Sequence, residues 1–231
     1  MATLAQLFKS SWENRAKRKA DEERLKNPFD RYLPFGLHDD GRIELSPFLP
    51  EGLKMPDLGK AHIIYASSQF NLGGMKGFRV FLHAEGDEEK KSYLWIIQDG
   101  DNFSIRWFAS LHVDSPENDD DWFFWIHPET GMVGSPVFQT KGDKIQFGRL
   151  WSPGDTHVAP IHVEESVLMD RYDPTQSFVV KHDLMLYGRK PDVVPALDEY
   201  VLLSSVEDKD GSFIAIDVGV DISTADLKVI Y

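Results

Sequence analysis

From about residue 60 onward, apolar and polar positions alternate in short runs broken by turn residues, the pattern of β-strands. Residues 62–67, 77–84, 93–98, 103–110, 137–140, 144–151, 161–168, 178–187, 200–206 and 212–218 read as strands. Asp99-Gly100-Asp101, Gly142-Asp143 and Asp208-Lys209-Asp210-Gly211 fall between consecutive runs. Each supplies the positive φ that a tight hairpin needs. Gly73-Gly74 reads as another turn, and residues 86–91 as a charged loop. Strands joined by hairpins pair antiparallel. With few crossover helices, a parallel doubly wound sheet is disfavoured.

Three segments carry helical signals. Residues 1–27 place Leu4, Leu7, Phe8 and Trp12 on one stripe and follow it with the basic block Arg15, Lys17, Arg18 and Lys19. Glu13–Lys17 and Glu22–Lys26 add i,i+4 support, and Asn27-Pro28 ends the helix. Ser115-Pro116-Glu117 opens a second helix running to about His127, with serine as its cap and acids opposing the dipole. Ser223-Thr224-Ala225-Asp226 fits a capping box, from which a last short turn of helix is expected. The proline-rich stretch 28–60 reads as an irregular connection with one strand at 42–45. The fold class expected is α+β: mostly antiparallel, β-rich, with an N-terminal helix and one or two short helices. Residues 1–27 form an amphipathic arm and 28–231 a single domain.

Charge sharpens that division. Residues 1–27 hold seven Lys or Arg against four acids, a net of +3 in a chain whose total is −13. The remainder is strongly acidic, which disfavours nucleic acid as a partner because phosphate is repelled. The chain has no cysteine, which excludes disulfides, thiolate nucleophiles and cysteine-ligated metals. No apolar run is long enough to span a bilayer, and residues 1–27 lack the apolar core of a secretory signal. A cytoplasmic location, with peripheral contact at the inner membrane, is the expectation.

Specific chemistry is sparse. His157, His162 and Glu164 form the best acid/base constellation, since His162 and Glu164 share a face of an extended strand. Their spacing matches no metal motif, and a structural role is the stronger reading; no metal and no cofactor is expected. Lys181 and Asp183 share a face, with His182 on the other, and a cross-strand ion pair is expected. Asp114, Glu117, Asp119, Asp120 and Asp121 lack the calcium-loop pattern and read as a helix N-terminus stabilised by acids. The glycine-rich run 71–77 lacks a Gly-Lys-Ser/Thr phosphate loop. Trp122-Phe123-Phe124-Trp125-Ile126 is the densest apolar block; core burial is expected, with an exposed partner surface as the alternative.

The segments Gly148-Arg149-Leu150-Trp151, 158–165, 182–189, Glu199-Tyr200-Val201-Leu202, Gly219-Val220-Asp221-Ile222 and 225–230 resemble the YjfK-like bacterial family of unknown function, over roughly residues 33–231. The resemblance carries no catalytic residues. It implies neighbours that include a phage-shock-protein-A-like membrane protein, a small integral membrane protein and an ATP-grasp ligase similar to glutathionylspermidine synthase. The function expected is that of a non-catalytic accessory or adaptor protein in a membrane-associated system of envelope stress or peptide modification. It docks to a protein partner or an anionic membrane through Leu4, Leu7, Phe8, Trp12, Arg15, Lys17, Arg18 and Lys19. Burying the four apolar side chains and adding the arm's net charge is worth roughly 4–7 kcal/mol, so one arm alone binds a bilayer weakly. The alternatives are a hydrolase-like enzyme built on the His/Glu constellation and a self-assembling structural homo-oligomer.

Overall fold

A computed structural model of the chain describes residues 33–140, 144–169, 174–194, 196–208 and 211–230. The arm of residues 1–27 lies outside them. The strands are β1 (Arg42–Leu45), β2 (Ala61–Leu72), β3 (Met75–Ala84), β4 (Asp87–Asp99), β5 (Asn102–Asp114), β6 (Val137–Gln139), β7 (Gln146–Arg149), β8 (Ile161–Leu168), β9 (Ser177–Arg189), β10 (Glu199–Asp208), β11 (Gly211–Asp221) and β12 (Leu227–Ile230). One α-helix, α1 (Asp119–Ile126), interrupts them, along with two single turns of 3-10 helix. The described residues therefore make a mostly β protein rather than an α+β one. Among them no helix is long and apolar enough to cross a membrane.

Every ladder is antiparallel. The path β2-β3-β4-β5-β11-β10-β9 is closed by β8, which pairs with β9 on one side and β2 on the other, giving an eight-stranded barrel. β12 and β1 extend the sheet from β2, and β7 and β6 extend it from β9. The β2–β3 hairpin turns on Gly73 and Gly74, at φ 59° and 93°. Few other residues accept that pair of angles, and the Asn71 side chain caps the turn by accepting from Gly74 N at 2.8 Å. Residues 86–91, expected as a charged loop, are mostly carried in β4 as its exposed first half.

The barrel is covered outside as well as filled inside. Residues 33–58 wrap one outer face, where Leu37, Met55 and Leu58 join Ile64, Val80, Leu94, Ile96 and Trp107. Glu199, fully buried, anchors this wrap by accepting from the Lys54 amide and the Arg189 guanidinium. α1 and the segment after it cover the face of β9, β10 and β11, with Trp125, Val133 and Phe147 against Tyr187, Leu203 and Ile214. Side chains of opposite parity point inward. At one end Phe70, Trp95, Phe108, Leu184 and Leu202 fill the lumen, with Phe70 and Trp95 ring centroids 4.5 Å apart.

Two helix expectations are corrected. The cap of α1 is Asn118, not Ser115: its side chain accepts from Asp121 N at 3.0 Å, with Asp119, Asp120 and Asp121 in the first turn. At the C-terminus the capping-box bonds do form, Ser223 Oγ donating to Asp226 at 2.6 Å. The chain nevertheless leaves the turn as β12, because β1 offers an open edge for residues 227–230. The apolar block also departs from core burial. Of its five residues only Trp125 is buried, its indole donating to Asp114 at 2.9 Å, while Phe123, Phe124 and Ile126 are exposed.

Candidate functional site

The lumen opposite the aromatic plug is open. A cavity of about 310 Å³ runs in from this mouth, lined by alternate residues of the strands around it: 165 and 167 of β8, 178, 180 and 182 of β9, 204, 206 and 208 of β10, and 213, 215 and 217 of β11. Every second residue recurs because a strand presents one face to the lumen. The outer wall is apolar, with Phe81, Val167, Phe178, Val180, Val206 and Phe213; at the inner end stand Arg79, Glu165, His182 and Asp217.

These polar groups are almost fully buried. Glu165 is the hub. Its Oε2 lies 3.3 Å from Arg79 Nη1 and 2.7 Å from His182 Nε2, and its Oε1 accepts from the Ser68 hydroxyl. Burial alone would raise its pKa, but Arg79, His182 and Ser68 overcome that and hold it at about 2. The Arg79 guanidinium also stacks on the rings of Tyr93 and Trp95, 4.7 and 5.0 Å from their centroids. Burial lowers the pKa of His182, so the ring is neutral at physiological pH.

Asp217 is different. The Tyr93 hydroxyl donates to its Oδ2 at 2.7 Å, and among the described residues no donor meets its Oδ1. Desolvation pushes its pKa up to about 6, against the opposing pull of Tyr93 and Arg79. It is a buried carboxylate, half satisfied, at the inner end of an open cavity.

The residues expected from sequence lie elsewhere. His162 and Glu164 share the outer face of β8, exposed; His162 Nδ1 meets Asp183 Oδ1 at 3.1 Å. The ring of His157 instead donates from Nε2 to the Gly131 carbonyl at 3.0 Å, on the segment after α1. Lys181 pairs with Glu207 at 3.8 Å across β9 and β10, while His182, between Lys181 and Asp183, faces the lumen. Among the described residues no three or more His, Asp or Glu stand together as a metal-binding group. Sequence reasoning missed Ser68, Arg79, Glu165, His182 and Asp217. The signal available was a charge flanked on both sides by apolar residues, as in Phe78-Arg79-Val80 and Ile216-Asp217-Val218. In a strand buried on both faces, such a charge has nowhere to go but inward.

These features define a closed antiparallel barrel with a blind, open-mouthed cavity and a buried ionic cluster at its inner end. By sequence, the chain belongs to a family of proteins of unknown function, DUF2491, whose model matches residues 13–228. The match begins inside the arm, earlier than the resemblance over residues 33–231 placed it, and it does not reach the narrower YjfK-like assignment. No curated protein and no solved structure matches the chain.

Proposed function

We propose that this protein is a non-catalytic binding protein whose barrel takes up a small, mostly apolar molecule through the open mouth. The observation that carries the reading is the cavity of about 310 Å³ within a closed eight-stranded barrel, apolar at its wall and polar at its inner end. Eight-stranded barrels of this size enclose space for one small ligand. The cluster favours binding over catalysis. Ser68 and His182 both donate to the same carboxylate, so no base stands ready to take the serine proton. Glu165, held at about 2, is a weak base.

The test is a fluorescence titration with an apolar dye such as 1-anilinonaphthalene-8-sulfonate, and its displacement by octanol. Saturable, displaceable binding to the wild type is expected. Ala215→Phe, which places a ring in the lumen, is expected to abolish it while the circular dichroism spectrum stays unchanged. Equal binding by the filled variant sinks the reading.

We place this barrel within an accessory protein of a membrane-associated system, recruited by residues 1–27, to a phage-shock-protein-A-like partner or to anionic lipid. What supports this is the polarity mismatch between the basic, amphipathic arm and the acidic body. Deleting residues 1–27 is expected to end co-sedimentation with anionic vesicles bearing that partner, and to leave dye binding intact. Unchanged co-sedimentation removes the arm from the account.

A further inference from the structure

We infer that the barrel selects an organic cation, a primary amine with an apolar body, whose ammonium group is seated against Asp217. This rests on the binding reading above and names its ligand class.

Of the charged groups at the inner end of the cavity, two satisfy each other. Arg79 is committed to Glu165 at 3.3 Å and to the aromatic faces of Tyr93 and Trp95. Glu165 is filled by Arg79, His182 and Ser68. An incoming anion therefore finds no open cationic valence there. Asp217 is the group left over: it is 7% exposed, its Oδ2 is taken by Tyr93, and its Oδ1 is without a donor. Such a buried acceptor costs free energy until a donor reaches it. The lining carries three carboxylates, Glu165, Asp208 and Asp217, against one guanidinium, Arg79. It also carries aromatic faces at Tyr65, Phe81 and Phe178, and carboxylate together with aromatic rings is the chemistry that recognises an ammonium group.

The groups facing Asp217 from the surrounding strands are Arg79 on β3, Tyr93 on β4, Glu165 on β8 and His182 on β9, with Tyr65 of β2 farther along the wall. Their sum makes the amine site pH-sensitive in one direction. Asp217 gains a proton as pH falls through about 6, and the ammonium then loses its counter-charge.

The experiment is isothermal titration of the full-length protein at about pH 7.5 with octylamine, octanol and octanoate, three ligands of one chain length. Octylamine is expected to bind about 10- to 100-fold tighter than octanol, the worth of a charge-assisted bond, and octanoate weakest. Asp217→Asn is expected to erase the preference for the amine and leave octanol binding unchanged. Where that variant does not fold, the wild type decides: octylamine affinity should drop between pH 7.5 and 5 while octanol affinity holds. Octanol binding with octylamine no tighter overturns the cation inference and spares the barrel reading. Octanoate binding as well as octylamine does the same. If none of the three binds, both fail.

Discussion

Asp217 and Glu165 are carboxylates a few ångströms of lumen apart in role but opposite in consequence. Glu165 has gained partners on folding, and its pKa is pulled from 4.5 to about 2. It stabilises the fold above pH 4.5, and that contribution disappears as pH falls toward 2. Asp217 has lost water without full replacement, and its pKa rises from 3.8 to about 6. The fold holds its proton more tightly than the unfolded chain does, so this group's contribution falls as pH climbs from about 4 to about 6 and is flat above. Each effect is on the order of 3 kcal/mol. Asp217→Asn keeps an oxygen for Tyr93 and removes the buried charge. It is expected to raise unfolding free energy at pH 7 by about 1–3 kcal/mol and to flatten the pH 4–6 slope, as read by urea denaturation. A less stable variant at pH 7 would mean that the charge is compensated. The retained cost is that of a site built to meet a ligand rather than to maximise stability.

At the scale of elements, α1 offers the simplest check. Asn118 accepts from Asp121 N, so Asn118→Ala is expected to cost about 1 kcal/mol in thermal melts, whereas Ser115→Ala is expected to change stability by under about 0.5 kcal/mol. The same helix shows what the sequence made legible. Turn chemistry was readable: Gly73-Gly74 and Gly100 sit where two-residue hairpins demand positive φ. Strand β8 was readable to the residue. Which face of it matters was not. His162 and Glu164 were singled out as two polar groups on one side, yet that side faces solvent, and Glu165, one residue on, faces the lumen. Parity assigns neighbours to opposite faces but does not say which face is inside. Covering segments on the outer faces hide the distinction further: residues 92–97 of β4 are buried without interruption, so no alternation survives to be read. The C-terminal turn failed for another reason. Its local bonds were foreseen, and a long-range pairing with β1 decided what followed them.

For the molecule as a whole, closure is concentrated in one short seam. β8 meets β9 along its full length but meets β2 only over residues 67–70 against 165–168. A barrel open along that seam would leave two edges and a drained lumen. Glu165 sits on the seam strand, and its three partners reach it from β2, β3 and β9, so one carboxylate ties together four strands of the wall. Glu165→Gln leaves Arg79 buried without a counter-charge, a loss on the order of 3–5 kcal/mol. The loss should not be uniform. In hydrogen exchange the β2–β8 amides are expected to lose protection first and most in this variant, ahead of the β3–β4 and β10–β11 ladders. In the wild type the same amides should weaken selectively as pH falls from 4.5 toward 2, the window in which Glu165 takes its proton. Uniform loss across all ladders would show that the barrel opens only by global unfolding. Selective loss would identify the seam as the weakest wall of the cavity, and as the route by which a ligand too wide for the mouth enters.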